Sequence, residues 1–294
     1  MRTCPACGAS YPNHHAICAK DGAMLIGSRR VPRWVREPSF VLLTLAIIVA
    51  GLALGLPTTT IAKRADELDK ARHYDLGGIL RNFACTRGDW ESCDRLAYMY
   101  YEGSGVAQDY SHATALFSRD VALLSKACDT GDAVACHNLS NMYEDGTGVA
   151  KDISRAATLY LREAELLSKA CDEGNASDCY EAGGMYDLGY LIEEDYSRAA
   201  ALYTKACDAN SAEGCEKLGF MYDVGEGVAE NDSTANELYA KSCKLGDWSG
   251  CADLAMRYQS GDGAPKNVPR ARELWSKACS MGEEFACAEA AKLW

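Results

Sequence analysis

The chain has 294 residues, 48% hydrophobic and 24% charged, with fifteen cysteines and a formal net charge of −12. The apolar content is enough for a buried core, and the acidity argues against nucleic acid or anionic lipid as a partner of the main body. The charge is uneven: residues 1–57 set Arg2, Lys20, Arg29, Arg30, Arg33 and Arg36 against Asp21 and Glu37, so the acidic excess lies beyond residue 57.

The chain opens Cys4-Pro-Ala-Cys7-Gly8 and continues to Cys18-Ala-Lys-Asp21-Gly22. Two thiolates at C-x2-C, backed by a glycine turn, make half of a tetrahedral zinc site. Cys18 is the candidate third ligand, and Asp21 stands where a second C-x2-C would place its last cysteine. His14 and His15 are alternative fourth ligands. A site closed by four protein ligands leaves no open position, so Zn2+ here is expected to be structural. Residues 1–26 resemble the short zinc ribbons at the N-termini of many bacterial membrane proteins, except that Asp21 replaces a cysteine.

Residues 27–38 form a basic linker, and residues 39–57 form the candidate membrane span. The run Phe40 to Leu56 is broken only by Thr44, and at ~1.5 Å per residue it covers roughly 25 Å, the short end of a bilayer core. Arg29, Arg30, Arg33 and Arg36 precede it. The positive-inside rule therefore keeps the N-terminus in the cytoplasm of a bacterial cell and sends the rest to the periplasm or outside. A cleaved signal peptide is the rival reading, with Ala53 and Gly55 as small residues near a cleavage site. Gly51 and Gly55 form a G-x-x-x-G suited to weak homodimerisation.

Residues 58–294 are dominated by one device. Cys85/Cys93, Cys128/Cys136, Cys171/Cys179, Cys207/Cys215, Cys243/Cys251 and Cys279/Cys287 all keep a C-x7-C spacing, at steps of 43, 43, 36, 36 and 36 residues. A fixed period of this size marks a solenoid. Three residues after the second cysteine stand Leu96, Leu139, Ala182, Leu218 and Leu254; four after, the small Ala97, Ser140, Gly183, Gly219 and Ala255. Seven after stand Tyr100, Tyr143, Tyr186, Tyr222 and Tyr258. That pattern is one face of a helix, and the small residue admits a second helix close by. Met99, Met142, Met185 and Met221 form a further column that Arg257 breaks.

Gly103, Gly146, Gly189, Gly225 and Gly261 then end each helix. A second, alanine-rich helix follows and delivers the next cysteine. The two 43-residue copies carry seven extra residues, Ser118 to Leu124 and Leu161 to Leu167, about two turns of lengthening in the second helix. The expected fold is all-α, a right-handed solenoid of helix-turn-helix repeats preceded by a membrane helix and a small zinc ribbon, with Trp294 in a closing cap.

Leu-Gly-x-Met-Tyr, Gly-x-Gly-Val and Ala-x-x-Leu-Tyr-x-Lys-Ala together resemble the Sel-one-like repeats, relatives of tetratricopeptide repeats. The added C-x7-C resembles the Helicobacter cysteine-rich protein family, whose repeats each carry a disulfide. The match spans roughly residues 75–294 and departs at Tyr190-Leu-Ile, which replaces the second turn glycine and valine. Six equal pairs behind a positive-inside anchor also point to an oxidising compartment and bridged cysteines.

The resemblance implies a scaffold for protein or peptide partners, bound on a concave face lined by the first helices. Tyr98, Tyr101, Asn138, Asn141, Asp187 and Trp248 are candidate surface positions there. It also implies an alternative, β-lactam binding or hydrolysis. Against an enzyme, the chain has no Ser-x-x-Lys, Ser-Asp-Asn or Lys-Thr-Gly. His73, His112 and His137 are too scattered for a hydrolytic zinc cluster, and no catalytic residue is assigned. A transmembrane sensor is the third reading.

Overall fold

The computed structural model describes residues 2–3, 10–11 and 56–293. The zinc-ligand candidates Cys4, Cys7, Cys18 and Asp21, nearly all of the 39–57 span with Gly51 and Gly55, and Trp294 lie outside the described residues. Among the described residues no helix is long and apolar enough to cross a membrane. The chain divides into two compact units at Asp109/Tyr110.

In the first unit, β1 (Arg2–Thr3) pairs antiparallel with β2 (Ser10–Tyr11), Arg2 opposite Tyr11 and Thr3 opposite Ser10. Three helices follow: α1 (Thr58–Lys70), α2 (Tyr74–Thr86) and α3 (Trp90–Glu102). Ile61, Ala65 and Leu68 of α1 bury against Leu80 and Ala84 of α2. Arg81, 1% exposed, binds Asp66 at 2.7 Å and also Asp69. A guanidinium that is buried costs less when two carboxylates answer it. Helix α1 thus stands ahead of the copies that the cysteine spacing defines, and α2 delivers Cys85, the first cysteine of the series.

The second unit holds α4 (Tyr110–Asp129), α5 (Ala133–Asp145), α6 (Ile153–Asp172), α7 (Ala176–Leu188), α8 (Tyr196–Asp208), α9 (Ala212–Val224), α10 (Asp232–Leu245), α11 (Trp248–Ser260), α12 (Val268–Ser280) and α13 (Glu284–Lys292). Each helix packs on its neighbours in sequence, with lighter contact between alternate helices such as α9 and α11. This is the topology of an all-α solenoid, in which each repeat buries its apolar face only by stacking. The seven extra residues lie in α4 and α6, each 20 residues long against 13 in α8.

Local chemistry sets the helix ends. Asp132, Asn175, Ser211 and Asp247 accept backbone N–H bonds at the first-helix N-termini, each worth about 1 kcal/mol. Gly146 and Gly225 adopt φ of 79° and 75° at the C-termini, where a Cβ would be strained.

The cysteines meet at the junctions between repeats. Cys207 ends α8 and Cys215 lies in the first turn of α9, with their sulfurs bonded and their Cα atoms 4.5 Å apart. The same arrangement joins Cys85 to Cys93, Cys128 to Cys136, Cys171 to Cys179, Cys243 to Cys251 and Cys279 to Cys287. A lysine from the following repeat adds a second tie. Lys241 Nζ donates to the Cys207 carbonyl and Lys277 Nζ to that of Cys243, both at 2.6 Å. Each ammonium neutralises the negative end of the helix before it.

Candidate functional site

The small-residue column explains how the second helices approach the first. A Cβ at Gly183 would lie 2.8 Å from the Tyr203 ring, and one at Gly219 would lie 3.0 Å from that of Tyr239. The rings therefore occupy the space the glycines leave. Their hydroxyls reach over the first helix, Tyr203 Oη donating to Asp187 at 3.1 Å and Tyr239 Oη to Asp223 at 3.5 Å. Trp275 Nε1 repeats the bond to Gln259 at 3.3 Å. Burial, reinforced by nearby carboxylates, raises both tyrosine pKa values, so the hydroxyls stay donors.

This ladder holds a line of acids on neighbouring first helices. A groove of about 600 Å3 runs between α9 and α11, lined by Phe220, Asp223, Glu230, Asp232, Tyr239, Asp253, Met256, Arg257, Ser260 and Asp262. Phe220 and Met256 are each 47% exposed. Burial pushes the Asp253 carboxyl up to about 7, and Glu216, Asp247 and Asp223 add to the rise while Lys217 opposes it. Glu216 is raised mainly by its own burial, with Asp247 and Asp187 contributing. Like charges held together in a half-dry cleft give a strongly negative local field.

Arg257 sits within that field. It replaces the methionine of the other copies, and its guanidinium bonds Asp223, Asp232 and Asn236. Those contacts give the break in the methionine column a physical cause. One arginine among Asp223, Glu230, Asp232, Asp253 and Asp262 leaves the groove net negative.

Of the surface positions marked in the sequence, Tyr98, Tyr101 and Trp248 are exposed, while Asn138, Asn141 and Asp187 are half-buried. Only Asp187 belongs to the acidic line, where it accepts from Tyr203. His137 Nδ1 lies 3.0 Å from Glu163, whose hydrogen bond raises the imidazole pKa against the opposing effect of burial. Among the described residues no group of three or more His, Cys, Asp or Glu side chains is arranged to hold a metal ion. Sequence reading missed Glu216, Asp223, Asp253 and Arg257 as a group. The one available signal was the column eight residues after the second cysteine: Glu144, Asp187, Asp223, Gln259.

Comparison with known proteins matches the Sel1 repeat at residues 90–119, 133–175, 176–211, 212–247 and 248–283. No curated protein matches the chain. Among solved structures, a Sel1 repeat protein from Oxalobacter formigenes is 24% identical with a TM-score of 0.55, covering 76% of this chain and 87% of that one. The protein c5321, a protective antigen of uropathogenic Escherichia coli with an SLR fold, is 26% identical with a TM-score of 0.54 over 81% of this chain. The chain spans 51% of the length of c5321. Helicobacter pylori cysteine rich protein B is 30% identical, with a TM-score of 0.35 over 47% of this chain and 94% of its own.

Proposed function

The chain belongs to the Sel1-repeat family, and on that premise we propose that its repeats are a scaffold that binds protein partners through basic segments. The observation that carries this reading is the groove between α9 and α11, which combines exposed Phe220 and Met256 with an excess of carboxylates. A Lys- or Arg-bearing segment exchanges its hydration for those carboxylates while its apolar side chains cover Phe220 and Met256.

Titration of the full-length protein in detergent micelles with fluorescent Lys/Arg-rich peptides tests the reading. Binding should weaken about tenfold or more in Asp223→Asn/Asp253→Asn. Equal binding by basic and acidic peptides would rule out the groove as a basic-segment site. As a fully ionised Asp253 adds charge, affinity should also rise between pH 6 and pH 8.

The proposal extends to the N-terminal part. Residues 39–57 anchor the chain in the bacterial inner membrane, with the N-terminus cytoplasmic and the disulfide-bearing repeats outside. The arginines before the span and the six cysteine pairs support this arrangement. Cys4, Cys7, Cys18 and Asp21 hold a structural Zn2+, a reading supported by the pairing of β1 with β2 on either side of residues 4–9. Metal analysis of the purified protein, and thiol alkylation with and without reduction, check the two parts separately.

A further inference from the structure

The junction between the second and third copies departs from its neighbours at two positions far apart in sequence, and the fold sets both along one slot. In the second copy, Gly148 has φ of 71° and its hydrogen stands against the α4 backbone, where a Cβ would lie 2.7 Å from the Phe117 carbonyl carbon. Ser118 Oγ donates to the Gly148 carbonyl at 3.0 Å and closes that contact. The residues corresponding to Ser118 and Gly148 one period later are Leu161 and Leu191. Leu191 keeps the left-handed backbone, φ 60°, without a glycine's freedom.

A hydrogen-bonded closure is thereby replaced by two leucines, and a slot of about 520 Å3 opens. Ala157, Thr158, Leu161, Tyr186, Leu191 and Ile192 line it, together with three consecutive acids, Glu193, Glu194 and Asp195. Leu161 is 40% exposed. Glu194 accepts from Tyr196 Oη and Asp195 from the Arg198 backbone N–H. Arg198, two residues beyond Tyr196, is stacked over the Tyr186 ring at 4.2 Å. Retained backbone strain at the half-buried Leu191, beside the exposed Leu161, is a feature of binding sites.

We propose that this slot docks one apolar side chain of a basic peptide segment on a protein partner. Leu161, Leu191 and Ile192 receive the apolar group, and Glu193, Glu194 and Asp195 receive the Lys or Arg residues flanking it. The inference rests on the scaffold reading but uses different residues from the groove between α9 and α11.

The test uses synthetic peptides with one Leu, Ile, Phe or Met flanked by Lys and Arg, and a matched set flanked by Asp and Glu, titrated into the full-length protein in micelles. Basic members should bind and acidic ones should not. Two variants that restore the residues of the preceding junction, Leu161→Ser and Leu191→Gly/Ile192→Val, should each weaken binding about tenfold. The second variant should melt no lower than the wild type, because it relieves the strained backbone. No binding by the wild type, or undiminished binding by both variants, overturns the proposal. Binding lost in Asp253→Asn but kept in both slot variants overturns it while leaving the scaffold reading intact. A wild-type dimer that dissociates in the slot variants would assign the slot to a second copy and also overturn it.

Discussion

The third and fifth copies of the repeat share the disulfide, the caps and the helix lengths, yet they differ in where they break the pattern. In the third, the first helix is regular, with Met185 buried, and the turn after it carries Leu191 in place of glycine. In the fifth, the turn keeps Gly263, and the helix before it carries Arg257 in place of methionine. The first change adds apolar surface and strain outside the core. The second puts a charge into a core position, and the surrounding acids compensate it. A covalently tied repeat tolerates either change because its neighbours hold the frame, and each change creates a surface of different chemistry.

The largest expected effect comes from moving the third copy's solution into the fourth. A Cβ at Gly227 would lie 2.1 Å from the Tyr196 carbonyl oxygen, with φ at 70°. Gly227→Leu should therefore cost roughly 3 kcal/mol in chemical denaturation, and a near-neutral result would show that the turn yields freely. Next is the shared frame: replacing Cys207 and Cys215 together by serine should remove roughly 2–3 kcal/mol, the chain-entropy value for so short a loop.

Arg257→Met restores the methionine column and tests the polar break. The side chains of Asp223 and Asp232 are 31% and 46% exposed, so water partly solvates the released charges. A loss of about 1–2 kcal/mol is expected, below that for a fully buried pair. A gain in stability would mean that the arginine serves binding alone.

The smallest effect depends on pH. Asp253 has its folded-state pKa raised to about 7, above an unfolded value of ~3.9. The folded state holds the proton longer, so this group lowers stability as pH rises from about 4 to about 7. Asp253 is only half-buried and water screens its charge, so Asp253→Asn should raise stability by about 1 kcal/mol at pH 8, well under the full linkage value, and leave it unchanged at pH 4. Parallel melting curves for the two proteins across that range check the sign.

Much of the fold was legible because repetition multiplies weak signals. A lone Gly146 or Tyr143 says little, but the same residue type recurring at one offset from five cysteines identifies a helix face and its end. Helix α1 escaped this reading because it carries neither a cysteine nor the glycine and tyrosine columns of the other copies. Its tie, Arg81 to Asp66 and Asp69, joins ordinary surface residue types across 15 and 12 positions. The acidic groove escaped for a related reason. Asp223 and Asp253 occupy different offsets in successive copies, and each reads alone as a solvated charge.

The sequence by itself determined the repeat length, the helix ends, the extra turns of α4 and α6 and the cysteine pairs, because these depend on short-range spacing and backbone conformation. Only the tertiary structure decided which acids share a cleft, why Arg257 is buried, and that Leu161 and Leu191 line one slot. Those outcomes depend on how one helix is set against the next, and that setting comes from side-chain volume at positions such as Gly183 and Tyr203.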